Sequence, residues 1–220
     1  IIDGTYAYGE RIPAEIEFQN QYQVSRITVR RAISDLEKDG YVLRARGKGT
    51  KVIYQKSIEE NLGKIRSFTE EMKQRKKIPG TRSMKISYEC APPEVAEAFG
   101  IKEGEPVLCL RRVRSADGEP IVYFVTYFPA SLSMPMAEER YQGSMYELFE
   151  ELGIHKPTRV IENFKSVNAT NEIAEKLSIK EMEALLVRTR ISYNYRQEVI
   201  EYTNSYYRGD RYSYVMELKG

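Results

Sequence analysis

The stretch from Pro106 to Pro129, PVLCLRRVRSADGEPIVYFVTYFP, constrains the fold more than any other part of the chain. Two runs rich in Val, Tyr, Phe and Ile flank Asp117-Gly118. That dipeptide takes the positive φ angles of a two-residue turn at little cost, so the stretch predicts a β-hairpin. Further strand patterns fall at 81–90, 158–169, 184–194, 198–207 and 212–218, with helical patterns at 67–77, 92–101, 143–154 and 170–179. About six strands in hairpin order with helices between them predict an α+β domain built on an antiparallel sheet with flanking helices.

The first third of the chain reads differently. Pro13 and Glu15 suit the first turn of a helix, and Ile16, Phe18 and Tyr22 give it a partly apolar face. Gln23 and Val24 form a break. Ser25 is placed to cap a second helix, in which Val29, Ala32, Ile33 and Leu36 recur at helical spacing until Gly40 ends it. Two helices with so short a joint predict a helix-turn-helix. A small hairpin follows, with Tyr41–Leu43 going out, Gly47-Lys48-Gly49 at the tip and Thr50, Val52, Ile53 and Tyr54 returning. The polar stretch 55–66 is expected to be a linker. The expected domains are therefore 1–54 and 67–220.

Charge separates the two parts. Residues 24–56 hold nine Lys or Arg against three acids, while residues 57–220 are nearly balanced. A basic segment on a neutral body points to a polyanion for one part only, although a solvated basic face explains charge alone equally well. Ser25, Arg26, Thr28 and Arg30 narrow the choice. They crowd the start of the second helix, which in a helix-turn-helix enters the DNA major groove, where Arg pairs with guanine and Ser or Thr with phosphate. Lys48, between two glycines, suits a loop that approaches DNA closely.

Other classes find little material. His155 is the one histidine, too few for a histidine-based metal site or a Ser-His-Asp triad. Cys90 and Cys109 are expected as core thiols in a reducing cytoplasm. No apolar run approaches the ~20 residues of a spanning helix. The Arg-Gly-Asp of 208–210 is expected to form a turn with ion pairs rather than an adhesion motif. No catalytic residue, metal ligand or cofactor is expected.

Gly4 to Glu15 (G-x-Y-x-x-G-x-x-x-P-x-E, read from Gly4), VSRITVRRAI (24–33) and GKGTKV (47–52) together resemble the winged helix-turn-helix of GntR-type transcription regulators. The resemblance implies DNA contacts from Ser25, Arg26, Thr28, Arg30, Arg31, Lys48, Gly49 and Thr50. It also implies that most of the family's first helix lies ahead of Ile1. A homodimer on palindromic operator DNA is expected, since one such unit reads a half-site.

In the second domain, Arg112 and Arg114 are two apart on a strand and so share a face. Two guanidiniums there require either an anion or neighbouring carboxylates, and spacing alone leaves both open. Ser67 and Thr69 open one helix and Ser144 another. SFTEEM (67–72), LRRVRSADGEPI (110–121), SMYELFEELGI (144–154) and EYTNSYYRGDRYSY (201–214) resemble the effector domain of the HutC-type GntR subfamily, the UbiC transcription regulator-associated domain with a chorismate-lyase-like fold. The resemblance implies a phosphorylated small-molecule effector. Thr69, Arg112, Arg114, Ser144 and Tyr146 would hold its phosphate end, Glu201 and Tyr207 would contact its distal part, and Ser67, Phe68 and Phe124 would complete the effector site. Where many amino-sugar phosphate binders resemble Pro-Ile-Ala-x-Glu, this chain has Phe124 in place of the glutamate. An aromatic wall there replaces a polar contact and points to another sugar phosphate or a less polar ligand. The expected function is a ligand-responsive repressor. The alternatives are an enzyme on a chorismate-lyase-like fold, with Glu201 as its one acid/base candidate, and a DNA-binding protein whose second domain only dimerises.

Overall fold

The structure, a computed structural model, describes residues 1–3, 5–45, 48–54, 58–61 (59–61 as backbone) and 64–215. The chain divides into two compact units, Ile1–Ser57 and Ile58–Gly220.

The first unit contains helices α1 (Glu15–Tyr22) and α2 (Arg26–Lys38) and strands β1 (Val42–Ala45) and β2 (Gly49–Val52). Ser25 caps α2 as its residue type predicts, its Oγ accepting from the Thr28 N–H at 3.2 Å. Beyond the helix end, Gly40 takes a left-handed φ of 74°. The strands pair antiparallel, and residues 9–12 add a third edge: Ile12 N donates to Thr50 O and Val52 N to Glu10 O. Ile12, Val29, Ile33, Val42 and Val52 form the small core. Helix α1 departs from expectation, with no buried residue and with Ile16 and Tyr22 exposed. Its Phe18 and Tyr22 instead line an apolar hollow of about 900 Å³ together with Val29, Ala32 and Ile33. Gly47, expected at the hairpin tip, lies outside the described residues, as do Arg46 and Gly4.

The second unit is built on the expected antiparallel sheet. Strands β4 (Pro79–Cys90), β5 (Pro106–Ala116), β6 (Glu119–Pro129), β7 (Arg159–Asn168), β8 (Ala184–Tyr193) and β9 (Val199–Arg208) lie in the order β4-β5-β6-β9-β8-β7. Asp117 and Gly118 have φ of 53° and 83°, the double positive that the β5–β6 turn demands. Helices α4 (Pro93–Phe99) and α6 (Asn171–Leu177) cover one sheet face through Val95, Ala96, Ala174 and Leu177. Helices α3 (Phe68–Gln74) and α5 (Met145–Glu151) cover the other. The β5 hairpin strand is therefore buried on both faces along almost its whole length.

Three readings change. The stretch 55–66, expected as a linker, contains β3 (Ile58–Asn61), and the last strand pattern, β10 (Tyr212–Val215), leaves the main sheet to pair with it in parallel. Residues 55–57, 62, 63 and 216–220 lie outside the described residues. Cys90 is exposed at the end of edge strand β4, and only Cys109 is a core thiol; burial pushes its pKa up to about 12. The Arg-Gly-Asp turn forms ion pairs as expected: Arg208 meets Asp210 at 2.7 Å, and Glu119 takes both Arg208 (2.9 Å) and Arg211 (3.1 Å). Gly209 is required there, because a Cβ would sit 2.8 Å from the Ala184 carbonyl oxygen.

Candidate functional site

Of the expected DNA-facing residues, Ser25, Arg26, Thr28, Arg30 and Arg31 are exposed at the cap and in the first half of the first unit's α2. Arg26 and Arg30 are held loosely by Glu15 of α1, at 3.5 and 3.9 Å. Exposed pairs of this kind are worth at most about 1 kcal/mol, so a phosphate or base edge can displace Glu15. Arg31 is exposed one residue further on. The Ser25 and Thr28 hydroxyls bond each other at 2.9 Å, which fixes both at the helix start. Lys48 and Gly49 are exposed at the β1–β2 turn and Thr50 is half-buried beside them. Gly49 needs its glycine, with φ of 79°. Arg44 is engaged elsewhere, donating to the Arg30 carbonyl at 3.0 Å.

In the second unit the side chains of even-numbered β5 residues point to the α3/α5 face, which sets Arg112 and Arg114 under those helices. Two register shifts flank Arg114, between Thr81 and Ser83 of β4 and between Arg114 and Ser115 against β6. Such irregularities re-aim side chains beside functional sites. Arg112 is 6% exposed and Arg114 2%. Arg112 Nη1 donates to the carbonyls of Tyr141 (2.8 Å) and Gly143 (3.1 Å). Arg114 donates to Gly80 O (3.0 Å), Gly143 O (2.6 Å) and Thr69 Oγ1 (3.0 Å), and lies over the Phe68 ring. Among the described residues neither arginine has a carboxylate within 4.0 Å, and Arg112 Nε is buried without a hydrogen-bond partner. Burial, then the charge of Arg114, pushes the Arg112 pKa down to about 9; burial lowers that of Arg114 to about 10. Glu201 acts against the shift of Arg112 and Glu147 against that of Arg114, but burial outweighs both.

The same sheet face carries a second pair at the same spacing, Arg188 and Arg190 of β8. These do have a carboxylate: Glu162 of β7 lies 3.4 Å from Arg188 and 2.6 Å from Arg190. Arg188 also donates to the Tyr207 hydroxyl at 2.6 Å. Between the pairs, Glu201 accepts from the Thr203 hydroxyl at 2.6 Å, and that hydroxyl meets Thr126 at 3.0 Å.

A cleft of about 50 Å³ joins these groups. Of the residues singled out in the sequence, Ser67, Phe68, Thr69, Arg112, Arg114, Phe124, Tyr146 and Glu201 line it. Ser144 stands just behind, its hydroxyl donating to that of Ser67 at 3.3 Å. Tyr207 does not line the cleft; its ring packs edge-on against Phe124, at 6.1 Å between centroids. Arg66, Thr126, Met145, Arg188, Arg190 and Thr203 line it without having been anticipated. Two of them were marked by the i, i+2 arginine spacing that had drawn attention to Arg112 and Arg114. The much larger hollow of the first unit is almost wholly apolar and offers no comparable set of charged donors. His155 is exposed in a loop against Tyr195. Among the described residues no group of His, Cys, Asp and Glu could hold a metal ion, and no helix is long and apolar enough to cross a membrane.

Comparison with known proteins agrees with this division. Residues 1–52 match the family described as bacterial regulatory proteins, gntR family, and residues 74–213 match the UTRA domain. The chain is 32% identical over 204 residues to the HTH-type transcriptional repressor NagR of Bacillus subtilis, covering 93% of this chain and 84% of that protein. It is 31% identical over 223 residues to the probable fructoselysine utilization operon transcriptional repressor of Escherichia coli, covering 100% and 90%. The crystal structure of PhnF from Mycobacterium smegmatis superposes with a TM-score of 0.68 at 28% identity, covering 99% of this chain and 95% of that one.

Proposed function

The chain belongs to the gntR family of bacterial regulatory proteins and is a ligand-responsive DNA-binding transcription regulator, and on that premise we propose that it is a repressor released from its operator by a phosphorylated small metabolite such as a sugar phosphate. The observation that carries the reading is the contrast between the two arginine pairs. Arg188 and Arg190 have Glu162, whereas Arg112 and Arg114 have only carbonyls and a threonine hydroxyl. Buried cations left that way are costly, and a dianionic phosphate lowers the cost on binding. The names of the relatives, two of them repressors and one tied to fructoselysine utilization, favour repression and a sugar-derived effector.

The roles follow from position. Arg112, Arg114 and Thr69 bind the phosphate, with Ser67, Ser144 and Tyr146 around it. Phe68 and Phe124 wall the cleft, Glu201 accepts a hydroxyl from the distal part, and Tyr207 backs Phe124. Ser25, Arg26, Thr28, Arg30, Arg31, Lys48, Gly49 and Thr50 meet duplex DNA. The working form is a homodimer in the cytoplasm, and effector binding shifts it toward an arrangement whose two α2 helices no longer fit the operator. A tenfold change in affinity requires only ~1.4 kcal/mol of coupling. Action by binding rather than turnover is supported by the names of the relatives, which are transcription repressors.

A thermal-shift panel of sugar phosphates, matched free sugars and simple anions tests this. A sugar phosphate should raise the melting temperature by mass action, and Arg112→Ala should abolish the rise. A response to free sugars alone, or one that survives in the variant, defeats the phosphate assignment.

A further inference from the structure

We propose that the Tyr212–Glu71 hydrogen bond couples the anion cleft to strand β3, the first element after Ser57, where the DNA-binding unit ends along the chain; this rests on the reading of the cleft given above. Helix α3 serves two neighbours at once. Its first turn belongs to the cleft, with Thr69 Oγ1 accepting from Arg114 at 3.0 Å and the Phe68 ring under the same guanidinium. Two residues on, Glu71 Oε2 accepts from the Tyr212 hydroxyl at 2.5 Å, and both residues are buried. A hydroxyl-to-carboxylate bond of this length is strong and directional. Arg75 Nη1 lies 3.3 Å from the other carboxylate oxygen as an ion pair, and donates to the Glu71 backbone carbonyl at 3.4 Å.

A second route reaches the same tyrosine. Phe124 lines the cleft and meets Tyr207 edge-on, and Tyr207 stacks on Tyr212 at 4.0 Å between centroids. Tyr212 in turn is the register partner of Ile58 in the β10–β3 pair, and Ile58 N donates to Arg211 O at 2.7 Å. Ile58 is buried in one cluster with Met72, Phe124, Tyr207 and Tyr212.

The β3–β10 pair is the element suited to change. It has four residues per strand and stands apart from the six-stranded sheet. Short two-stranded pairs are marginally stable alone and depend on their neighbours. An anion between Arg112 and Arg114 competes with Thr69 for Arg114 and so acts first on the opening turn of α3. A helix of two turns moves as a unit, and Glu71 carries that movement to Tyr212 and β3.

Hydrogen exchange on the full chain, with glucose 6-phosphate and with inorganic phosphate as probes, tests the coupling. In the unaltered protein both the cleft (α3 and residues 141–144) and the pair (58–61 and 212–215) should change protection. Tyr212→Phe removes only the hydroxyl. The cleft response should persist there, and the response of the pair should fall by more than about half, a loss within the usual range of coupling between sites. Glu71→Gln keeps an acceptor and should retain most of the response, which guards against an unfolded Phe variant. An undiminished response of 58–61 in Tyr212→Phe overturns the inference. If neither probe changes protection at the cleft in the unaltered protein, the anion reading falls and takes the inference with it.

Discussion

Replacing Arg112 by methionine should separate a ligand site from a structural cation. Arg112 is buried without a carboxylate, so the variant discards an uncompensated charge, and exchanging buried ionic groups for apolar ones of similar size is often neutral or stabilising by ~1–4 kcal/mol. Against that, the Tyr141 carbonyl loses its arginine donor, at about 1–3 kcal/mol. The Gly143 carbonyl keeps Arg114 at 2.6 Å and loses little. The two terms nearly cancel, and at roughly 2–4 °C per kcal/mol the melting temperature should stay within about 5 °C of the original. Arg190→Met is the control. It takes away the closer partner of the half-buried Glu162, leaving Arg188 at 3.4 Å. Breaking a buried pair costs about 3–5 kcal/mol, here toward the low end, or a fall of roughly 6–12 °C. Differential scanning calorimetry with and without a sugar phosphate reads both effects. Arg112→Met should melt near the original temperature and lose the ligand-induced rise. An Arg112 variant as unstable as Arg190→Met would refute the reasoning, because the β5 pair would then be part of the framework.

Effector affinity should follow a bell-shaped pH profile by titration calorimetry. It should rise from pH 5 to about 7.5 as a phosphate monoester of pKa ≈ 6 loses its second proton. It should fall again near pH 9, where the lowered pKa of Arg112 lets its charge go. Arg26→Ala should weaken operator binding by ~1–3 kcal/mol while barely changing stability, since only an exposed pair with Glu15 is lost. Anisotropy titrations at several salt concentrations check this, and unchanged binding throughout excludes a base contact. Gly209→Ala should lower the stability of the second unit by more than about 1 kcal/mol, because a Cβ there meets the Ala184 carbonyl. An unchanged midpoint in urea would show that the turn can yield.

The parts of this architecture legible in the sequence are those set by local rules. Asp117-Gly118 specifies its own turn, Ser25 its own cap, and the two β-rich runs of 106–129 the hairpin at the centre of the sheet. The β3–β10 pair was not legible. IEEN of 58–61 has no apolar period, and a parallel pairing with 212–215 is made between segments some 150 residues apart. The anion cleft was half legible. Spacing put Arg112 and Arg114 on one face, but Arg188 and Arg190 have the same spacing and a different fate. The difference is Glu162, which reaches Arg188 and Arg190 only because β7 pairs with β8 at the far edge of the sheet. Which arginines remain without a carboxylate is a property of strand order, and single-strand periodicity does not contain it.

The most direct test of the account joins its two halves. Duplexes selected from a random pool supply the operator, and fluorescence anisotropy then measures its affinity with and without the sugar phosphate found in the thermal-shift panel. The account predicts at least a ~10-fold loss of operator affinity on adding effector, a coupling of about 1.4 kcal/mol, and none in Arg112→Met. Operator affinity that ignores the effector, or a variant that responds as fully as the original, would contradict it.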